Sequence, residues 1–435
     1  MAAPTSSLLR LSAAAFVVLA AEPSFVLVDT AVVGHLGAVP LAGLGVGGTL
    51  LSVVAMVGAF LDYGTTGRSA RWFGAGDRGR AVDEGVAATV LAIVLGLIGA
   101  ALGETLASPL MHLLTGSNRA AMNAGVQWFR LAVLGMPGVL AIMAGNGWLR
   151  GVQDTRRPVR IVVAANVASA AASPILVYPL GLGLRGSALA NLVAQTGAGA
   201  MFLWAVHRER RPWRPAWETI RGQLRVGRDL LLREIGFQAA FLCAAGAATR
   251  MGTAQVAAHQ IGFQLWNLIA LLLDSFAIAA QSLVGAALGG GDVTEARHVA
   301  IRVSRYGLGA GLATGLVLAA GWYVIPDAFT SSSAVAHQAH LLWPFLFGMQ
   351  PVAGVLFALD GVLIGAGDVA FMRTLTLLSA LGVFVPLTLC ALHFGWGIEG
   401  VWGGLTGFIV ARLVGMVLRT AGSGWLVTGT VGPGE

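Results

Sequence analysis

The 435-residue sequence contains no lysine, only two cysteines and few charged residues of any kind. Charged side chains make up 11% of the chain, whereas soluble globular proteins carry about 25%. Hydrophobic residues make up 56%, and the mean hydropathy is +0.78. This composition excludes a soluble domain. It predicts an all-α polytopic membrane protein, because lipid cannot satisfy the backbone groups at open strand edges.

Sequence motifs of soluble enzymes are also missing. There is no Walker-type phosphate loop, which excludes direct use of ATP, and no Cys/His cluster with metal-ligand spacing. Gly181-Leu-Gly-Leu-Arg-Gly186 has dinucleotide-loop spacing, but it lies between two apolar stretches and predicts a turn. Gly365-Ala-Gly-Asp368 is similar to an intramembrane aspartyl protease motif, yet no Tyr-Asp pair supplies a second aspartate. We therefore predict a protein that is not an enzyme and that binds no cofactor and no metal.

A tandem repeat divides the chain. An offset of 215 residues places Gly74-Ala-Gly-Asp77 on Gly289-Gly-Gly-Asp292, and an offset of 214 places Pro137 on Pro351. A repeat of this length in an apolar chain is typical of secondary transporters, whose substrate path runs between two related bundles.

Twelve apolar stretches of about 20 residues are candidate membrane spans. They divide six and six, so the repeats have the same orientation and are related by a pseudo-two-fold axis along the membrane normal. We predict six-helix bundles at residues 1–206 and 230–435, joined by a basic cytoplasmic linker at 207–229. The candidate spans are 12–34, 41–61, 86–107, 128–149, 159–179, 187–206, 230–249, 255–285, 302–324, 342–364, 373–393 and 401–420.

Arginine is distributed unevenly along the chain. Of the 27 basic residues, 20 lie in or beside the loops after spans 2, 4, 6, 8 and 10. The positive-inside rule then places both termini in the cytoplasm of a multi-pass inner (plasma) membrane protein. We interpret the basic segment 207–229 as an anchor at anionic lipid headgroups and predict no nucleic-acid partner.

Ionisable side chains inside a span are costly and usually face a bundle interior. Asp29 lies in span 1, with Glu22 two helical turns earlier on the same face. Because burial disfavours a charged carboxylate, Asp29 could load and release a proton; a structural carboxylate paired with an arginine or a helix N-terminus is the alternative. Span 5 carries three polar residues that could face Asp29 or only bond between helices. These are Asn166, Ser169 and Ser173.

Span 8 has one continuous polar face, whereas the equivalent positions of span 2 are small or weakly polar. We interpret this face as the wall of a central substrate cavity, with packing against neighbouring helices as the alternative. Its residues are Gln260, Gln264, Asn267, Asp274 and Gln281. Asp360 in span 10 is a further candidate, either as a second titrating group or as a structural ion-pair partner.

Three stretches of the chain resemble MATE (multidrug and toxic compound extrusion) transporters, especially the DinF-like branch. The most specific motif is Val28-Asp-Thr-Ala-Val-Val-Gly-His35. The stretches are 22–37, 273–281 and 360–368. The resemblance covers all twelve spans. It implies a V-shaped pair of six-helix bundles that exports cationic or amphipathic compounds in exchange for H⁺ or Na⁺.

The resemblance also implies roles for individual residues. Asp29 matches the span 1 carboxylate of the family, and Asn166 matches its span 5 asparagine. Four residues later, where many prokaryotic members carry a second carboxylate, this chain has Ala170. That departure favours H⁺ over Na⁺ as the coupling ion and leaves Asp29 as the main carrier, with Glu22 assisting.

We therefore expect a monomeric secondary antiporter in the lipid bilayer that exports small molecules by alternating access, with protonation of Asp29 as the coupling step. One alternative is a lipid or lipid-linked precursor flippase of the same superfamily. Those proteins usually carry basic residues in the cavity, and almost no arginine is expected inside the spans here. Alternatives from other classes are a membrane-embedded enzyme, a receptor or a channel.

Overall fold

The computed structural model describes residues 5–432, and every regular element in that range is helical. The first four and last three residues of the predicted bundles, with both termini, lie outside the described range. In chain order the helices are α1 (Thr5–Gly34), α2 (Ala38–Met56), α3 (Ala59–Gly74), α4 (Arg78–Thr115), α5 (Arg119–Val133), α6 (Met136–Gly151), α7 (Arg156–Val177), α8 (Leu184–His207), α9 (Trp217–Met251), α10 (Thr253–Gly289), α11 (Val293–Ala320), α12 (Ile325–Phe329), α13 (Ser333–Gly348), α14 (Gln350–Gly365), α15 (Val369–Ser379), a π-helical turn (Ala380–Phe384), α16 (Val385–Phe394) and α17 (Gly397–Ala421).

Ten stretches of the described chain are long and apolar enough to cross a membrane. Two further crossings are bent pairs of helices: α5 with α6, bent by 52°, and α13 with α14, bent by 48°. Counting each bent pair as one crossing gives twelve, at the twelve places where the sequence predicts a span. The predicted fold class, an all-α polytopic protein with six crossings in each repeat, is confirmed.

The two bends occur at equivalent points of the repeat. Pro137 and Pro351 each lie in the first turn after the break, where a missing backbone N–H costs nothing. A methyl group on Gly96 would come closer than 3.0 Å to the Cα of Pro137, and one on Gly311 would do the same at Pro351. The aligned prolines therefore bend the span, and the aligned glycines let a neighbouring helix approach the bend.

Span 7 begins earlier than the hydropathy predicts. Helix α9 starts at Trp217, so the second half of the predicted linker 207–229 is helical. The irregular part is the short connection 208–216, which contains Pro212 and Pro215. Proline lacks the N–H that a continuing helix needs and disfavours helical geometry in the preceding residue, which explains the interruption.

The chain packs as two compact units. The N-terminal unit is Val17–Gly227, and the C-terminal unit is Arg228–Glu435 together with Met1–Phe16. Both divisions fall inside a helix, in α1 and in α9.

The same glycine contact recurs within each unit. In the N-terminal unit, a methyl group on Gly147 of α6 would lie 2.5 Å from the carbonyl oxygen of Asp62 in α3. In the C-terminal unit, a methyl group on Gly361 of α14 would come closer than 3.0 Å to the carbonyl oxygen of Ala277 in α10. Small residues allow helix backbones to approach closely in membranes. The two glycines are aligned by the sequence repeat, and each forms the equivalent close helix contact in its own unit.

Candidate functional site

Asp29 is a buried carboxylate of the N-terminal unit, with only 2% of its surface exposed. The Ser173 hydroxyl of α7 donates to Asp29 Oδ1 at 2.6 Å, and the Ser187 hydroxyl of α8 donates to Oδ2 at 2.7 Å. Each carboxylate oxygen thus has one hydroxyl partner. Within the described part of the chain, no arginine or histidine pairs with this carboxylate.

Two further hydrogen bonds lie beside Asp29, one to Ser187 and one between α1 and α7. Ser187 lies in the first turn of α8 and accepts a hydrogen bond from Trp128 Nε1 of α5 at 3.0 Å. Since the indole occupies one lone pair of the Ser187 oxygen, the hydroxyl hydrogen is left to point at Asp29. Tyr178, at the end of α7, donates to the Val32 carbonyl oxygen at 2.6 Å and ties α1 to α7 one turn away.

Asn166 and Ser169, the two other predicted residues of α7, do not bond to Asp29. Asn166 is half-buried, and its Nδ2 donates to the Val162 carbonyl oxygen of its own helix at 2.9 Å. Ser169 is buried, and its hydroxyl has no hydrogen-bond partner among the described residues. Of the predicted stripe, Ser173 is thus the one residue that forms a hydrogen bond with Asp29 in the described part of the chain.

Glu22 lies two turns from Asp29 in α1, as predicted, but its surroundings differ. Its side chain is exposed at the surface of the fold, whereas that of Asp29 is buried. No described side chain forms a hydrogen bond or ion pair with Glu22. The structure therefore gives Glu22 and Asp29 no shared partner.

The polar face of α10 becomes less exposed from the start of the helix toward its end. Gln260, Gln264 and Asn267 are exposed, Asp274 is half-buried, and Gln281 is only 1% exposed. Lipid offers an amide no hydrogen bonds, so exposed amides within a span indicate contact with water or a polar ligand. The first half of this face suits a cavity wall, whereas Gln281 is buried where α10 meets α14 and does not belong to the exposed surface.

Asp360 of α14 lies in a buried ion-pair cluster of the C-terminal unit. Arg412 Nη2 of α17 donates to both carboxylate oxygens, at 3.0 and 3.2 Å, and Arg233 Nη2 of α9 lies 3.2 Å from Oδ1. The Arg412 guanidinium also lies over the rings of Phe237 and Phe408, at 5.0 and 5.7 Å from their centroids. Of the two alternatives for Asp360, this geometry favours the structural ion pair.

The expectation that almost no arginine lies inside the spans is wrong for Arg412. This residue is fully buried in the middle of α17, although its position near the end of the sequence groups it with the C-terminal arginines. Its partner Asp360 lies 52 residues earlier in the chain. An arginine in the middle of a span requires a buried acidic partner. A search of the other spans for such a partner could have paired Arg412 with Asp360.

A second buried polar network lies in the N-terminal unit, and no sequence pattern predicts it. Arg68 of α3 donates to both oxygens of Glu84 in α4, at 2.9 and 2.8 Å. Gln223, fully buried in the first turns of α9, donates to Glu84 Oε2 at 2.9 Å, and Thr65 donates to Gln223 Oε1 at 3.3 Å. This network fixes the first turns of α9 to α3 and α4.

These features together define a class of protein. Repeated six-span bundles, a buried carboxylate with no counter-charge among the described residues and a span with exposed amides are features of a helical membrane transporter. The MatE family model matches residues 14–175 and again 232–389, one match in each repeat, so the chain belongs to the MatE family. It is a transporter of the multidrug-efflux type and not an enzyme, and transporters of this family need no cofactor.

Similar proteins support the assignment over nearly the whole chain. Protein DETOXIFICATION 44, chloroplastic, from Arabidopsis thaliana is 31% identical over 409 residues, covering 91% of this chain and 78% of that protein. DNA damage-inducible protein F from Escherichia coli (strain K12) is 30% identical over 410 residues, covering 90% and 86%. A crystal structure of MATE in the bent conformation matches with a TM-score of 0.88 at 22% identity, covering 95% of both chains. The family predicted from the sequence is confirmed, and the structural match shows the shared fold.

Proposed function

We propose that the chain is a proton-coupled antiporter that exports cationic or amphipathic small molecules, with Asp29 as the proton carrier. The supporting observation is the environment of this carboxylate, which is 2% exposed, bonded to two hydroxyls and unpaired with any described cation. An ionised carboxylate is costly to bury without a counter-charge. Asp29 therefore has a physical reason to exchange its negative charge for a proton or for a bound cation.

The two serines suit a carboxyl group that changes its charge. When Asp29 is ionised, both hydroxyls can donate to it across the contacts of 2.6 and 2.7 Å. When it is protonated, its O–H needs an acceptor, and a serine oxygen can accept as well as donate. Rotation of the Ser173 hydroxyl is sufficient for this exchange, so neither charge state leaves the carboxyl group without a partner.

The distribution of charge favours a cationic cargo over an anionic one. The exposed amides of α10 offer both donors and acceptors to a ligand in the span. The buried guanidinium of Arg412 is paired with Asp360 and covered by aromatic rings, so it is not available to an anionic headgroup. A lipid or lipid-linked precursor flippase therefore remains the second candidate.

The proposed cycle begins in the outward-facing state. Asp29 takes a proton from outside and loses its charge. The hydrogen bonds from Ser173 and Ser187 weaken, α1 repacks, and the cargo is released. The transporter then turns inward and releases the proton to the cytoplasm. The membrane potential contributes about 2.3 kcal/mol per charge per 100 mV, in addition to the pH gradient, and differential protonation of the two states couples the gradient to transport.

Several further expectations form part of the proposal. The coupling ion is H⁺, with Na⁺ as the alternative, because Ala170 supplies no second carboxylate. The domains are a bundle at 1–206, a basic linker at 207–229 and a bundle at 230–435. The protein acts as a monomer in the plasma membrane with both termini in the cytoplasm, as the uneven arginine distribution suggests.

The test is export of a cationic dye from proteoliposomes under an imposed pH gradient without Na⁺, for the wild type and Asp29→Asn. The matched control is Glu22→Gln, which removes a carboxylate from the same helix where it is exposed. We expect the wild type to transport and Asp29→Asn to lose pH-driven transport. Equal transport by Asp29→Asn would refute the proposal, and transport that starts only when Na⁺ is added would refute the choice of ion.

A further inference from the structure

The hairpin formed by α7 and α8 contains buried polar atoms that do not form hydrogen bonds with Asp29. Ser169 lies one helical turn before Ser173 in α7, and Asn191 lies one turn after Ser187 in α8. Ser169 is 2% exposed and Asn191 is 8% exposed. Neither Ser169 Oγ nor Asn191 Oδ1 has a hydrogen-bond partner among the described residues.

The register of the hairpin places these two residues at one level. Helices α7 and α8 are consecutive, joined by the turn 178–183, and pack against each other in an antiparallel arrangement. Ser173 and Ser187 define the level of Asp29, since both donate to its carboxylate. Four residues back in α7 and four forward in α8 lead to the same next level, about 6 Å away.

The direction of this step matters for transport. It leads from Asp29 toward the start of α7 at Arg156 and the end of α8 at His207, which is the arginine-rich side of the N-terminal unit. A further turn along, Asn166 and Gln195 are half-buried, so polar side chains continue toward the surface. The polar side chains thus form a track from the buried carboxylate to the side predicted to face the cytoplasm.

We propose that Ser169 and Asn191 hold water molecules that carry the proton from Asp29 to the cytoplasmic side. The proposal rests on the proposed function, in which Asp29 carries the proton. Buried polar atoms without protein partners usually bond to ordered water. The serine hydroxyl can both donate and accept, and the asparagine amide offers an acceptor and two donors, so each can orient a bridging water.

The step conserves atoms and charge. The carboxyl O–H bond of Asp29 breaks, its electron pair stays on the carboxylate, and the proton forms a new O–H bond on the first water. The carboxylate then regains the hydrogen bonds from Ser173 and Ser187 seen in the structure. Ser169 and Asn191 act as positioning residues, because they hold the water and do not accept the proton themselves.

The test compares two processes in the same proteoliposomes. The first is ethidium transport driven by a pH gradient, which requires net proton movement. The second is ethidium counterflow at equal pH, which exchanges cargo without net proton movement. The variant is Ser169→Ala combined with Asn191→Leu, and Ser169→Thr keeps the hydroxyl as the conservative control. Thr196→Ala removes a hydroxyl from the exposed side of α8 as the matched control.

We expect the double variant to lower the ratio of pH-driven transport to counterflow by about a hundredfold or more, the lower end of what a positioned proton transfer contributes. Both controls should keep the wild-type ratio. An unchanged ratio in the double variant, or equal losses in both processes, would overturn the inference. Na⁺-driven ethidium transport at equal pH that the double variant abolishes would also overturn it, because the oxygens would then bind Na⁺. Failure of the proposed function is a separate result, in which Asp29→Asn keeps pH-driven transport.

Discussion

The cluster around Asp360 offers a quantitative prediction about the C-terminal unit. Removing one partner of a buried ion pair costs about 3–5 kcal/mol, because the other charge is left uncompensated. Asp360→Asn leaves two arginines close together, of which Arg412 is fully buried and Arg233 is largely buried. Arg412→Gln leaves Asp360 with Arg233 at 3.2 Å. We therefore expect Asp360→Asn to lie near the upper end of that range and Arg412→Gln near the lower end.

The double variant Asp360→Asn/Arg412→Gln removes both charges and leaves two amides that can bond to each other. Its loss of stability should be smaller than the sum of the single losses by about 2 kcal/mol or more, within the range of coupling between contacting residues. The assay is the free energy of unfolding in mixed micelles, followed by tryptophan fluorescence as a denaturing detergent is titrated. Because pairing is structural, the double variant should also retain pH-driven transport.

Two results would refute this reasoning. Additive losses in the double-mutant cycle would show that Asp360 and Arg412 are not coupled. A double variant that is as stable as expected but has lost pH-driven transport would instead show that Asp360 is a titrating group. The matched control is Arg302→Gln, which removes an arginine from an ion pair with Glu295 in the same unit without exposing a fully buried charge.

Three further predictions concern other contacts. Ser187→Ala removes a hydrogen bond to a charged group, worth about 1.5–3 kcal/mol, and should slow pH-driven transport by about tenfold to a hundredfold; an unchanged rate would show that this bond does not matter for coupling. Gly361→Ala places a methyl group against the Ala277 carbonyl oxygen and should destabilise the protein by about 1–3 kcal/mol in the same unfolding assay, and wild-type stability would contradict the close helix contact. Glu84→Ala leaves Arg68 without its bidentate partner and should cost about 3 kcal/mol, whereas a loss near zero would indicate that water replaces the carboxylate.

The sequence predicts the spans and the central carboxylate because both depend on local patterns. A lone aspartate in an apolar helix has to face a polar interior, and the serine spacing in span 5 places Ser173 on one face of its helix. Ser187 and Trp128 could not be found in this way. Ser187 lies at a span boundary, and its role depends on where α8 and α5 meet α1, which is a tertiary contact.

The start of α9 and the Arg412–Asp360 pair also could not be predicted from local sequence patterns. Hydropathy marks the stretch that is apolar enough for lipid, and residues 217–229 are too polar to be included although they are helical. A helix can therefore begin well before the stretch that hydropathy detects. The pairing of Arg412 with Asp360 joins residues far apart in the chain, so no pattern within one span predicts it.

The most direct test of the central claim is proton release on cargo binding. Purified protein in weakly buffered detergent solution is mixed with ethidium, and a pH-sensitive dye reports the protons released, for the wild type and for Asp29→Asn. If Asp29 exchanges its proton for a cation, the wild type should release about one proton per bound cation at a pH where the free carboxyl group is protonated, and about half a proton at the pH where half of the carboxyl groups are protonated. Asp29→Asn should release none. Equal release by both proteins, at equal cargo binding, would contradict the assignment of Asp29 as the proton carrier.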